Sequence, residues 1–317
     1  MPDNVEIGSS VIDPAPPAGR PGFDPTSPAN MTELAPSGSG ILTVAIRRLL
    51  RNHRLLSGVI LLLLLSCLAI FASVWAPYDP STPGLAMPRS GPTSDHWLGV
   101  DALGRDVLSR LIYGARASLI VGLTVVALNV VIGTLVGLCS GYFGSWLDTI
   151  LMRFTDLVLA FPLFLVAVAI VGSLSASLTN VVLVLGLLGW PSIARLVRSS
   201  VLSVRRREYI ESARTIGAND ARIILRHVFP NVLGPIIVAA TFGVASAILL
   251  EASLSFLGLG VQPPTPSWGN MLSEAQSLST LQSRPYLWAP PGIAIVFLVA
   301  AMNLIGNGLD DEFQTNN

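Results

Sequence analysis

Six apolar runs alternate with polar segments along this chain. They cover residues 55–75, 118–138, 150–171, 178–196, 232–254 and 287–304. Each is at least as long as the roughly 18 residues read as a candidate membrane span, a helix crossing ~30 Å of hydrocarbon. The pattern predicts an all-α membrane protein with six transmembrane helices. Pro162, Pro191 and Pro235 interrupt these runs, which a membrane helix tolerates where the freed backbone groups find partners or line a cavity. Gly133, Gly137 and Gly141 stand four residues apart on one helix face. They let a neighbouring backbone approach closely, where helix association depends on packing; that neighbour is another helix of this chain or one of a second subunit.

Composition supports the membrane assignment. The chain is 51% hydrophobic and 12% charged, against roughly 25% charged residues in soluble domains. Residues 1–40, rich in Pro, Gly, Ser and Asp, have too little apolar surface to offset the entropy of ordering. They are expected to form a disordered cytoplasmic tail ahead of a transmembrane domain over 41–317. The formal net charge is zero, which gives no case for nucleic acid. Cys67 and Cys139 lie in apolar runs, and His53, His96 and His227 are far apart in sequence, so no metal site is expected.

The arginines orient the bundle. One side collects Arg47, Arg48, Arg51, Arg54, Arg153, Arg195, Arg198, Arg205 to Arg207, Arg214, Arg222 and Arg226; the other keeps Arg89, Arg105, Arg110, Arg116 and Arg284. The positive-inside rule makes the first side cytoplasmic. Six spans then put both termini in the cytoplasm, with outer loops at 77–117 and 258–286 and a cytoplasmic loop at 200–230. All 19 basic residues are arginine. Without lysine there is no Walker A loop and no Schiff base, so any ATP that drives this protein is hydrolysed by another chain.

The loop at 200–230 has structure of its own. Residues 205–216 have helix-compatible composition, Gly217 suits the left-handed turn that ends a helix, and Asn219 or Asp220 suits the cap of the next one. Ile223, Ile224, Val228 and Phe229 give the second helix an apolar side. Two short helices around a glycine turn are expected.

Charged residues near membrane depth are functional candidates by default. Glu251 lies near the outer end of the fifth run, where Arg116 or Arg110 is the expected ion-pair partner; a proton relay is the other reading. Arg153 and Asp156 have i, i+3 spacing for a helix-face pair. Outside, 95–116 reads as an amphipathic interfacial helix with an Asp106–Arg110 pair, serving as a lid, an anchor or a contact for a substrate-delivery protein. Gly258-Leu-Gly260 has no preceding strand and is no dinucleotide fingerprint.

Glu211, Ala213, Gly217 and Pro230 resemble, in spacing, the EAA coupling loop of ABC-importer permeases, with Ser212, His227 and Phe229 as departures. Further stretches resemble the C-type subunit of the dipeptide/oligopeptide/nickel permeases. They are 96–110, 113–116, Gly141-Tyr-Phe-Gly144, Met152-Arg153 with Asp156, 251–260, 262–269 and 303–309, so the resemblance runs from about residue 45 to the C-terminus. Asn307 and Asp310 depart from the usual Asp and Arg.

The resemblance implies a type I ABC-importer bundle in a bacterial plasma membrane, importing peptides. It implies a heterodimer with a second permease, two ATPase subunits that bind ATP and magnesium, and an extracytoplasmic binding protein, with no cofactor in this chain. Glu208, Glu211, Ala213, Gly217, Ala218, Asp220 and Pro230 would couple it to the ATPases. The same machinery importing nickel, haem or another small solute is the alternative. A secondary transporter or channel would want intramembrane carboxylates and internal repeats, and only Glu251 qualifies. An intramembrane serine protease would need a histidine within a span, and none lies there.

Overall fold

A computed structural model describes residues 52–274 and 276–315; the expected tail over 1–40 lies outside them. Among the described residues the regular structure is helical, apart from one isolated bridge between Val100 and Asp106. Helix α1, His53–Ile70, begins where the Asn52 side chain accepts from the amides of Arg54 and Leu55, satisfying two donors that a helix start leaves open. After the short α2, Ala72–Trp75, the chain runs through an irregular segment to α3, Val107–Phe143.

At 37 residues, α3 is ~55 Å long at ~1.5 Å per residue, well beyond the hydrocarbon thickness. This corrects the expected interfacial helix over 95–116. Residues 95–106 form a loop, and the helical turns from Val107 onward extend the second span toward that loop. Asp106 caps α3 by accepting from the Ser109 amide and hydroxyl, both at 2.8 Å, and meets His96 Nδ1 at 2.9 Å. It does not pair with Arg110.

The third apolar run is broken. Helices α4, Ser145–Leu159, and α5, Leu163–Ser173, meet at 75° across Ala160-Phe161-Pro162. Proline has no amide for the helical ladder and its ring clashes with the carbonyl four residues back. Five helices are long and apolar enough to cross a membrane, or six if this bent pair is one span. Helices α6, Leu178–Leu188, and α7, Pro191–Arg205, together make the next span. Pro191 sits in the first turn of α7, where a missing amide costs nothing.

Helix α8 is Glu208–Thr215 and α9 is Asp220–Ile223. A π-turn over Ile224–Val228 carries α9 directly into α10, Phe229–Phe256. The sequence predicts a separate second short helix there; instead it is the N-terminal end of the long helix that carries the fifth apolar run. Pro230 accounts for the π-turn. An extra residue per turn relieves the collision between its ring and the Arg226 carbonyl. After α10 come α11, Trp268–Ser273, and α12, Leu278–Ser283, before α13, Pro285–Thr315.

The three glycines of α3 face α7. A Cβ at Gly137 would lie 2.6 Å from the Val197 Cβ and 2.7 Å from the Ala194 carbonyl oxygen, and Gly133 and Gly141 meet Ile193 and Val201 in the same way. The stripe is therefore occupied within the chain. Helix α1 packs on α13, with Asn52 donating to the Gly308 carbonyl and Arg54 paired with Asp311 at 3.4 Å. The start of the first span thus lies beside the end of the last. Phe313 in turn packs over Gly234 near the start of α10.

Candidate functional site

The segment between α7 and α10 folds as two helical arms about Gly217. Glu208 and Glu211 occupy the first turn of α8, where negative charge complements the exposed amides. The helix ends in a Schellman motif: the Gly217 amide donates to Arg214 at 2.9 Å and the Ala218 amide to Ala213 at 3.1 Å. Gly217 adopts φ +82°, the left-handed region that costs a residue with a Cβ roughly 1–2 kcal/mol. Asn219 then caps α9 by accepting from the Ala221 amide.

One side of this unit is buried. Ile210, Ala213, Ile223 and Val228 pack with Leu138 and Tyr142 of α3, Val197, Val201 and Val204 of α7, and Val232 and Ile236 of α10. Ala218 packs against the edge of the same cluster. Asp220 accepts from the Tyr142 hydroxyl at 2.6 Å, and the Arg214 guanidinium lies 5.2 Å from the centre of the Tyr142 ring. Tyr142 thus ties the loop to the second span. Nothing in local spacing marks it; only the fold brings it within reach of residues about 70 positions later.

The other side is open. Ile216 is 84% exposed and Leu225 68%, and Glu208, Tyr209, Glu211, Arg214 and Asp220 are exposed as well. Large aliphatic side chains at the tip of an arginine-rich loop form a surface suited to a protein partner. Of the residues singled out from the sequence, Glu208, Glu211 and Asp220 lie on the open side, as does Pro230 at the foot of α10. Gly217 makes the turn, whereas Ala213 faces inward.

At the opposite end of the bundle the arginines are taken by partners other than those the sequence suggested, and Glu251 has no ion-pair partner among the described residues. Glu251 is fully buried, but Arg116 is not its partner. Arg116 donates to the carbonyls of Ala69 and Ile70 at 2.6 and 2.7 Å, satisfying the end of α1. Glu251 instead accepts from Ser255, one turn along α10, at 2.6 Å.

Arg110 is also taken. With Arg105 it holds Asp101 and Glu274 in a buried network: Arg105 reaches Asp101 at 2.6 Å and Glu274 at 2.8 Å, and Arg110 reaches them at 3.3 and 3.1 Å. Burial pushes the Glu274 carboxyl above the usual carboxylate range, against the opposing pull of the two guanidiniums. The network fastens the 77–106 loop and the end of α11 to the start of α3. The expected Arg153–Asp156 pair also gives way, since Asp156 pairs with Arg195 of α7 at 2.5 Å. Among the described residues no group of three or more His, Cys, Asp or Glu side chains is placed to hold a metal ion.

These features accompany clear relationships. The family described as binding-protein-dependent transport system inner membrane component matches residues 129–314, which include the whole arginine-rich loop. The N-terminal transmembrane domain of oligopeptide transport permease C matches residues 42–92. The chain is 42% identical over 266 residues to the glutathione transport system permease protein GsiD of Pectobacterium atrosepticum, covering 84% of this chain and 88% of that protein. It is 41% identical over 267 residues to the dipeptide transport system permease protein DppC of Alkalihalophilus pseudofirmus, covering 84% and 87%. A family match over more than half of the chain and these identities over most of both lengths agree with the bundle and with the folded loop: the chain belongs to the family of binding-protein-dependent transport system inner membrane components.

Proposed function

We propose that this chain is one of two permease subunits of an ATP-driven importer of peptides in a bacterial plasma membrane, and that the Glu208–Pro230 unit is where an ATPase subunit drives it. The observation that carries the reading is the two-sided build of that unit. An apolar underside is locked onto three spans, and Ile216 and Leu225 are displayed outward. Relatives named for glutathione and dipeptide transport share the peptide bond as their cargo's common feature. An extracytoplasmic binding protein delivers the substrate, and the partner ATPases bind ATP and magnesium.

Six crossings with both ends in the cytoplasm are supported by two contacts. The start of α1 lies beside the end of α13, and the end of α13 reaches the foot of α10. The ends and the loop therefore share one side, the side richest in arginine.

Coupling arises from connectivity. Helix α9 runs unbroken into α10, and only Arg206 and Arg207 separate α7 from α8. A push on the loop moves the inner ends of α7 and α10 together. ATP binding that closes the ATPases therefore biases the bundle between two arrangements, one open to each side.

Single cysteines in the assembled importer test the docking surface, with Cys67 and Cys139 replaced by serine. Ile216→Cys and Leu225→Cys are expected to crosslink to the ATPase through a short reagent that carries a thiol-reactive group at one end and a photoactivatable group at the other. Ala213→Cys, on the buried side, is expected to react at least ~10-fold less, in line with the loss of reactivity of inaccessible thiols. Equal crosslinking at all three positions, or none at Ile216 and Leu225, would sink the docking model.

A further inference from the structure

Between the spans α3, α7 and α10 lies a recess of about 270 Å³, near the lower end of the volumes that take small ligands. Asn129, Ser192 and Ser246 line it among apolar side chains, and Gly189 forms part of its wall. A second recess under the elbow at Pro162 adjoins it, sharing Leu163, Gly189 and Ser192. Ser192 and Ser246 are exposed and Asn129 is half-buried. Ser246 donates to the Phe242 carbonyl of its own helix at 3.0 Å; polar side chains at this depth otherwise normally face a bundle interior or a water-filled path.

Helix α7 continues the polar surface. Ile193, Ala194, Val197 and Val201 are buried against the bundle, while Ser192, Arg195, Ser199 and Ser203 are exposed along another face, running from the recess to the arginine-rich loop. A helix so divided favours water or protein over lipid on its serine face, even though Ser199 and Ser203 donate to carbonyls of their own helix.

The Asn129 amide is the distinctive group. Its Oδ1 is buried and has no hydrogen-bond partner among the described residues, an arrangement that costs roughly 1–3 kcal/mol. Opposite it stands Gly189, where a Cβ would lie 2.6 Å from Asn129 Nδ2; only glycine leaves the amide this room. Because Oδ1 is buried as it stands, meeting a substrate requires a turn about the Cβ–Cγ bond, which is soft for asparagine.

We infer that this recess is the chain's half of the substrate path, and that Asn129 pairs with the peptide bond of the passing substrate, its Oδ1 accepting the backbone N–H. The inference rests on the peptide-importer reading above. An amide matches the donor and acceptor that every peptide bond carries, whatever the flanking side chains. One hydrogen bond among apolar walls recognises the cargo without holding it, as a transport path requires. The recess is also lined by α7 and α10, the two spans joined to the loop, so movement of the loop reshapes it.

The test uses the complete importer in proteoliposomes and two cargoes, glycyl-glycine and glycyl-sarcosine, which lacks the peptide N–H. The ratio of their uptake rates is compared between wild type and Asn129→Ala. The ratio is expected to fall about five-fold in the variant, the value of one neutral hydrogen bond, because glycyl-sarcosine has no N–H for Asn129 to lose. A general packing defect would slow both cargoes equally.

An unchanged ratio overturns the assignment alone. Failure of wild type to take up either peptide overturns the importer reading and the assignment with it. Should Asn129→Ala not assemble, Ser192→Cys and Ser246→Cys in the thiol-free chain decide. Labelling by a water-soluble maleimide, slowed by peptide, supports the path; no labelling refutes it.

Discussion

Replacing Gly217 by valine is expected to leave the protein inserted in the membrane and to cut peptide uptake ~10-fold or more, because strain of about 1–2 kcal/mol is relieved by unwinding the turn that aims the docking surface. The position has open space around it: nothing lies within 4 Å of where a Cβ would stand. The effect is therefore one of backbone conformation. At φ +82° a β-branched side chain collides with its own main chain. Relief of that strain opens the Schellman bonds to Arg214 and Ala213, and Ile216 no longer projects where the ATPase meets it. Asparagine tolerates the left-handed region, so Gly217→Asn is expected to retain most of its uptake. The check is peptide uptake per inserted molecule for both variants. Equal uptake by Gly217→Val and wild type would remove the turn from the coupling mechanism.

The second large effect is one of stability. Arg110→Ala is expected to destabilise the chain by about 3–5 kcal/mol, the cost of leaving a buried charge uncompensated. Arg110 is 1% exposed, and Glu274 and Asp101 face it. Its removal leaves Arg105 alone against the buried Asp101 and the half-buried Glu274. The double change Arg110→Met with Glu274→Met is expected to be milder than Arg110→Met alone, since it removes charge of both signs and fills the space with apolar atoms. Thermal unfolding in detergent measures both. A double variant less stable than either single one would mean that the pair stabilises beyond simple charge compensation.

The bundle is legible in the sequence because its driving pattern is local. Run length alone locates the spans, and Pro162 marks the break between α4 and α5. What the sequence does not carry is the 75° between those helices, which depends on what packs on either side. The start of α3 is misplaced by eleven residues for a physical reason. Arg110 and Arg116 end the apolar run, yet the helix continues through them because their partners come from elsewhere: Asp101 and Glu274 for one, the end of α1 for the other. The same blindness produces the Glu251–Arg116 pairing, which matches charges by sign when Glu251 instead accepts from a serine one turn away.

The loop is legible to a different degree. The Gly217 turn and the Asn219 cap arise from intrinsic backbone preferences and stand where expected. The continuation of α9 into α10 is not expected from the sequence, because the apolar run begins only at Val232 and the π-turn before Pro230 has no local signature. Which face of the loop is buried is decided by the ends of α3, α7 and α10 that pack on it, and no spacing within the loop reveals it. Ala213 illustrates this: it matches the coupling motif in register yet points into the bundle. The glycine stripe of α3 is readable as a close-packing face, but its partner, α7, emerges only in three dimensions.

The central claim, that ATP hydrolysed by partner subunits drives peptides through this chain, is tested most directly by reconstitution. The chain, its partner permease and the ATPases are placed in proteoliposomes with the binding protein on the outer side and a labelled dipeptide. Accumulation that requires ATP on the side bearing the arginine-rich loop, and that stops with a non-hydrolysable analogue, is the predicted result. Accumulation driven by a proton gradient without ATP, or no peptide accumulation at all, would contradict it.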